Sequence, residues 1–371
     1  MTEILSDDQK ARLVSLAEKL IDQKEARIVI TPKQSAPGFW FGGGNMAEGE
    51  NGELYIVGRY RNKGDSRIGL KAGERGMELA VFRSNDQGES FTQLFSFTKK
   101  DLSLPDRPIL SIEGSSLIRS DSGVELYVSN EKGGVSYPPG FEAYRKPGTG
   151  VWSIDCLKAD TIEELSSGQV EPVLSSEDPR FLHVKDPVVF RGPSGNTVLV
   201  FCTHPYCWTS TNSAICIRPA GGERFGAPNF NFFPRGATWD VAVSRITGIL
   251  AVPAAGLFFN SPPCFLLFYD GAECVRRLEE SALGVSRPRG YSCEEIGGLA
   301  VSLTCELTRI ERLSTFQPLF VSPYGTGTSR YVNLLATERG LYATWQQSQP
   351  DRSQPLVMNF VPDREITEIL S

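Results

Sequence analysis

The sequence predicts an all-β chain built from repeated antiparallel hairpins and preceded by one helix. Three observations carry that expectation. With 36 glycines and 24 prolines in 371 residues, the composition favours short strands and tight turns over long helices. One motif type recurs through residues 27–371: a polar residue, a short apolar run, a glycine-bearing turn, then a second apolar run. Clear helical periodicity sits at the N-terminus, where Ser6 and Gln9 have capping-box spacing and Leu13, Leu16, Ala17, Leu20 and Ile21 follow at helical intervals. Residues 1–26 are therefore expected to form a helical appendage and residues 27–371 a single β body.

The hairpins run in order "GNMAEGENGELYIVGRYR", "IEGSSLIRSDSGVELYVSN", "KDPVVFRGPSGNTVLVFCTH", "WDVAVSRITGILAVPAAG", "YSCEEIGGLAVSLTC" and "RYVNLLATERGLYATWQQ". Each carries a glycine that supplies positive φ at a tight connection. They begin near Asn45, Glu113, Asp186, Asp240, Tyr291 and Tyr331, a spacing of about 40 to 70 residues at which self-similarity signals propeller blades. Six hairpins make six blades the preferred count, with five as the alternative. In a propeller the first strand of each blade lines the central channel, so the residues that open these hairpins are expected to converge on one mouth.

Charge narrows the partners. A net charge of −6 and an isoelectric point near 5.3 argue against nucleic acid or an anionic membrane, since either needs a basic face. No run of 18 apolar residues occurs, and "MTEILSDDQK" lacks the basic and apolar regions of a secretory signal, which predicts a cytoplasmic location. The eight cysteines have no C-x-x-C spacing and most sit in apolar runs, so they read as buried reduced thiols. Two histidines, His183 and His204, are too few for a histidine-rich metal site, and neither a metal nor a cofactor is expected. The oligomeric state is left open.

The stretch "SNDQGESF", Ser84 to Phe91, fits the Asp-box pattern S-x-D-x-G-x-[ST]-[WF]. Asp86 can accept backbone N–H bonds within the turn, Gly88 takes the left-handed position and Phe91 packs beneath the hairpin. Together with the blade layout, and with "GELYIVGRYRNKGDSRIG" ahead of the box, it makes the chain resemble the sialidase superfamily of six-bladed propellers. That resemblance implies glycoside cleavage, and puts Tyr331 at the place of the nucleophilic tyrosine and Asp65 at that of the acid/base aspartate. The first-blade arginine of the sialidase carboxylate-binding triad has no counterpart in "GGGNMAE". The segment "HVKDPVVFRGPSGNTVLVF", with "SEDPRF" before it, resembles instead the blade opening of five-bladed arabinanase, fructosidase and mannoside-phosphorylase propellers. There the resemblance implies that Asp186 points to the sugar.

Glycoside cleavage needs a proton donor for the leaving oxygen and a nucleophile or base on the other side, usually two carboxylates. Asp186, Glu113 and Asp240 open three neighbouring hairpins and are the first candidates, each of them also suited to a plain strand-start or capping role. Carboxylates crowded at one mouth raise each other's pKa, which supplies a proton donor near neutral pH. Tyr291 with Glu294 or Glu295, and Tyr331, offer tyrosine nucleophiles, although a tyrosine can equally be a packed aromatic. Arg59, Arg61 and Arg67, with Asp65 in the same segment, can bind an acidic group through bidentate hydrogen bonds. Arg330 and Glu295 are further substrate contacts, and His204 and Trp239 can stack on a sugar face. The expected activity is that of an exo-acting glycoside hydrolase on a terminal, optionally acidic, sugar. A uronate lyase and a non-catalytic carbohydrate-binding propeller are the alternatives.

Overall fold

The computed structural model describes residues 5–62, 75–120, 123–273, 295–304 and 306–371. Helix α1 (Asp7–Leu20) begins where the capping box places it: the Gln9 backbone N–H donates to Ser6 Oγ at 3.1 Å, and the Ser6 N–H donates to Gln9 Oε1 at 3.0 Å. Leu13, Leu16, Ala17 and Leu20 form its buried stripe and join one apolar cluster with Leu266, Phe268, Val301, Leu341, Trp345 and Val357. Burying each leucine is worth about 1.5–3 kcal/mol, so the helix is fixed by packing as much as by its cap. A second, C-terminal helix adds Ile366 and Leu370 to the same cluster. No helix among the described residues is long and apolar enough to cross a membrane.

The β body is a ring of five sheets. Strand β1 (Arg27–Ile30) is set aside for the last blade. The first blade holds β2 (Trp40–Gly42), β3 (Met46–Glu48), β4 (Leu54–Arg61), β5 (Glu78–Ser84) and β6 (Thr92–Thr98). The second holds β7 (Ile109–Ser120), β8 (Gly123–Lys132), β9 (Val151–Ala159) and β10 (Glu171–Leu174). The third holds β11 (His183–Arg191), β12 (Thr197–His204), β13 (Asn212–Arg218) and β14 (Asn229–Phe233). The fourth holds β15 (Val243–Ala251), β16 (Phe265–Ala272), β17 (Ile296–Ser302) and β18 (Ile310–Arg312). The fifth holds β19 (Ser329–Thr337), β20 (Gly340–Gln347) and β21 (Leu356–Pro362), and β1 pairs with β21 to complete it. This closure ties the first and last strands of the chain into one sheet.

The preferred count of six blades is thus corrected to the alternative of five. The hairpin expected at Tyr291 does not open a blade: Ile296–Ser302 is the third strand of the fourth blade, paired along its whole length with β16. All seven residues of β17 are buried, as suits a strand covered on both faces, and an unbroken apolar run does not tell such a strand from one that opens a blade.

The innermost strands β7, β11, β15 and β19, with β2 and β3 as a broken fifth, contact one another around the axis. Each of the four continuous ones is bulged, with the register slipping at Ile112/Ser115, Lys185/Val188, Ile246/Gly248 and Arg330/Asn333. A bulge takes residues out of the ladder and re-aims their side chains. Glu113, Asp186 and Tyr331 lie in three of these slips, and Asp186 and Tyr331 both have φ of 53°, a left-handed conformation that non-glycine residues seldom adopt. The pairs Trp40↔Arg61, Ile109↔Lys132, His183↔His204, Val243↔Ala272 and Ser329↔Gln347 put the start of every inner strand at one face of the ring. The turn holding Asp86 lies at the other face, because Leu54 pairs with both Glu48 and Ser84.

Candidate functional site

Asp186 stands at the centre of the face where the inner strands begin. Its position is set by backbone and strand β8: its N–H donates to Ser129 Oγ at 3.0 Å, and its Oδ1 accepts from the Gly114 N–H at 3.1 Å. Its Oδ2 accepts from Arg245 Nη1 at 3.0 Å and from the Tyr331 hydroxyl at 3.3 Å, with Lys185 Nζ 3.8 Å away. Glu113, one blade away, accepts from Arg59 Nη2 at 3.0 Å and from Ser111 Oγ at 2.8 Å, and its Oε2 lies 3.9 Å from the same Lys185 Nζ. Lys185 therefore bridges the two carboxylates.

Arg245 links this pair to a second one. Its Nη2 lies 2.7 Å from Asp270 Oδ2 and 3.1 Å from Glu295 Oε1, and Arg330 Nη1 ion-pairs with the other Glu295 oxygen. The Tyr331 ring covers the Arg245 guanidinium at 4.0 Å, its N–H donates to Asp270 Oδ1 at 3.1 Å, and its hydroxyl accepts from Arg59 Nη2 at 3.3 Å. The Trp40 ring lies beneath Arg59 at 4.6 Å and Arg330 at 5.1 Å, with Arg61 at 5.8 Å.

The structure thus brings together Asp186, Glu113, Tyr331, Arg59, Arg61, Glu295 and Arg330. His204 lies beside them, its ring stacked on Trp208 at 4.5 Å. Asp240 and Trp239 are placed differently: Asp240 pairs with Arg312 Nε of the outermost strand β18 at 2.9 Å, while the Trp239 indole donates to the Ser314 carbonyl at 2.8 Å and stacks on Tyr269. Both precede the true inner strand, which opens at Val243, and their bonds tie the outer layer of the fourth blade. Tyr291, Glu294, Asp65 and Arg67 lie outside the described residues. Sequence patterns do not single out Lys185, Arg245 and Asp270. Their signal is a charge inside an apolar strand, as in "FLLFYDGA", which a buried strand tolerates only with a partner.

Burial and cations compete for each acid. For Glu113, burial alone would raise the pKa, but Lys185, Arg59 and Arg61 outweigh it and hold it down to about 2. Asp186 is likewise held well below the usual carboxylate range, burial being outweighed by Lys185, Arg245 and Arg59. In the second pair, burial pushes Asp270 up to about 6 against the pull of Arg245, while Arg245 and Arg330 overcome the burial of Glu295 and keep it near about 2. The centre therefore has carboxylates that stay ionised and one carboxyl able to hold a proton close to neutral pH. Burial, then Lys185, lowers His183 to about 3, and burial takes His204 well below its ordinary value, so both rings are neutral. Among the described residues no group of three or more His, Cys, Asp and Glu side chains is arranged to hold a metal ion.

No protein-family model matches the chain, and no curated protein sequence matches it. Solved structures share its fold. It is similar to an α-L-arabinofuranosidase from Lactobacillus brevis, with a TM-score of 0.55 and 9% identity over 93% of each chain. It is similar to the GH43_1 enzyme from Xanthomonas citri complexed with xylotriose, with a TM-score of 0.55 and 12% identity over 94% of this chain and 93% of that one. It is also similar to a β-1,2-mannobiose phosphorylase from Listeria innocua in complex with β-1,2-mannobiose, with a TM-score of 0.54 and 12% identity over 92% of this chain and 96% of that one. At such identities the likeness is one of architecture: the chain has the five-bladed propeller fold seen in propeller glycosidases.

Proposed function

We propose that the protein is a glycoside hydrolase that removes a terminal sugar carrying an anionic group. One observation carries the reading: Asp186 and Glu295 meet on one guanidinium where the inner strands begin, Asp186 Oδ2 3.0 Å from Arg245 Nη1 and Glu295 Oε1 3.1 Å from Arg245 Nη2. That puts a carboxylate that stays ionised beside the acid that reaches solvent, the two-carboxylate arrangement that glycoside cleavage uses. Asp186, kept ionised, attacks the anomeric carbon or takes the proton of an attacking water. The proton for the leaving oxygen comes from the Asp270–Glu295 pair, and Glu295, whose side chain is 21% exposed, is the member that reaches solvent. Glu113 and Lys185 hold sugar hydroxyls.

The anionic group is argued from charge. Arg59, Arg61, Lys185, Arg245 and Arg330 face four acids, one of which holds its proton up to about pH 6. Arg59 is 1% exposed, yet its Nε and Nη1 make no hydrogen bond, which leaves donors for a carboxylate. Asp186→Asn is expected to lower kcat by about 10²-fold or more while circular dichroism shows the parent's fold. Full activity in that variant overturns the assignment. A panel of aryl glycosides of neutral sugars and of uronic acids decides the substrate class, with uronides expected to turn over faster. Saccharide binding without turnover is the second reading, favoured by the fact that Glu113 and Asp186 are each already ion-paired.

A further inference from the structure

Lys185 has a second neighbourhood. Its Nζ also lies 5.0 Å from the centre of the Trp208 ring, which belongs to a cluster of Trp152, His183, His204, Trp208 and Tyr137. Trp152 packs at 4.9 Å against both His183 and Trp208, His204 stacks on the Trp208 ring at 4.5 Å, and Lys185 Nζ lies over the same ring. What this cluster presents is therefore ring edges rather than ring faces.

Those edges are unsatisfied. Trp152 Nε1, Trp208 Nε1 and His183 Nδ1 are all buried and have no hydrogen-bond partner. The indole N–H groups of Trp239 and Trp345, by contrast, donate to the Ser314 carbonyl at 2.8 Å and to Gln23 Oε1 at 3.2 Å. An unpaired buried polar group costs about 1–3 kcal/mol, and native proteins pair the great majority of them. Three such nitrogens sit on rings in mutual contact, and together they suit a ligand that accepts from the indoles and meets a neutral imidazole. Strain marks the same place. Trp208 has φ of 60°, an outlier for so bulky a residue, and it joins Asp186 and Tyr331 at 53° on this face of the ring.

We propose that this cluster is a subsite for a second sugar unit, adjoining the one at Asp186 and Glu113. The proposal rests on the glycosidase reading only in treating the two units as parts of one substrate. A saccharide hydroxyl fits the edges because it can accept from an indole N–H and donate to His183 Nδ1 at once. Lys185, shared by the two neighbourhoods, places the units side by side. Tyr206, Phe141 and Tyr144 continue the aromatic wall outward, with rings 4.7 and 4.8 Å apart and Tyr144 exposed, so the chain of a longer saccharide has a path to solvent.

The test is calorimetric titration of the Asp186→Asn protein, in which turnover cannot blur binding, with xylose against xylotriose and galacturonic acid against trigalacturonic acid. At least one trisaccharide is expected to bind tenfold or more tightly than its monosaccharide. Adding Trp208→Phe, or Trp152→Phe, which keep a ring and remove the N–H, is expected to reduce that advantage to threefold or less with the monosaccharide affinity unchanged. An unchanged advantage in both variants, or equal binding of monosaccharide and trisaccharide in the parent, overturns the subsite. If the tenfold advantage is found and responds to the variants, while the wild-type protein cleaves no glycoside, the hydrolase reading fails and the subsite stands.

Discussion

Replacing Asp270 by asparagine tests whether the centre stores a proton. Asp270 is fully buried and its carboxyl is pushed up to about 6, first by burial and against the pull of Arg245. In the unfolded chain an aspartate titrates near about 3.9, so between these values the folded protein binds more protons than the unfolded one. Its contribution to stability consequently falls as pH rises: ionising Asp270 in place costs about 3 kcal/mol at pH 7, of which about 2 kcal/mol is recovered on going down to pH 4.5. Groups held below their ordinary values run the other way: Glu113, Asp186 and Glu295 begin to lose their contribution only below about pH 5. His183 and His204 are held below their ordinary values, so their contribution is present above about pH 6.5 and is lost as pH falls, and it is common to parent and variant. The difference between the two proteins therefore reports the coupled Asp270–Glu295 pair. Equilibrium urea unfolding followed by tryptophan fluorescence, at several pH values from about 4.5 to 7, should show the parent gaining about 2 kcal/mol relative to Asp270→Asn as the pH is lowered. A difference that stays flat within about 0.5 kcal/mol across that range refutes the raised pKa, and with it the proton reservoir assigned to the Asp270–Glu295 pair.

Two further substitutions probe the same centre. Tyr331→Phe keeps the ring over Arg245 at 4.0 Å and removes the hydroxyl that links Arg59 to Asp186. Its kcat should fall about tenfold at a stability loss below about 1.5 kcal/mol, and unchanged kinetics exclude a role for that hydroxyl. In Gly114→Ala a Cβ would stand 2.6 Å from Asp186 Oδ1 and 2.8 Å from its Cα, so the carboxylate must move. Stability should drop by about 1–3 kcal/mol together with turnover, whereas Gly52→Ala, at φ of 81° with nothing within 4 Å, should lose stability alone. Equal turnover in these two variants counts against Asp186 as the reacting carboxylate.

The blade architecture is legible in the sequence because a hairpin is a local object, with its turn glycine and its two apolar runs adjacent. The number of blades is not, because it depends on which hairpin pairs with which strand. In the fourth blade, residues 274–294 lie between β16 and β17, and the continuous apolar run of β17 imitates a new beginning. The same distinction separates the site residues. Asp186 shows itself by standing immediately before a proline at the opening of an apolar run, and Tyr331 by its place in the last inner hairpin. Arg245 and Asp270 are fixed by contacts across 25 positions with each other and across 59 positions from Asp186 to Arg245, and spacing along the chain holds no trace of such pairs. Asp240 is legible as an acid near a blade start, yet an offset of three positions from Val243 sends it to Arg312 in place of the axis.

Departures from local rules are most frequent on one face, although Gln87 in the Asp86 turn and Leu307 are also left-handed, at φ of 60° and 55°. At the opposite face the Asp86 turn satisfies itself, with Ser84 Oγ donating to Asp86 Oδ1 at 2.7 Å and the Ser90 N–H donating to the same atom at 2.9 Å, and at the N-terminus α1 caps itself with the residues its sequence supplies. Around the axis, acids and bases are removed from water, two non-glycine bulge residues are left-handed, and indole N–H groups go unbonded. Buried ion pairs return little net stability after desolvation, and apolar side chains of similar volume would stabilise the ring more. A fold under selection for stability alone would have no reason to gather these costs in one place. Their concentration at the end of the ring that holds Asp186, Tyr331 and Trp208 supports the activity proposed for that end, independently of any likeness to other propellers.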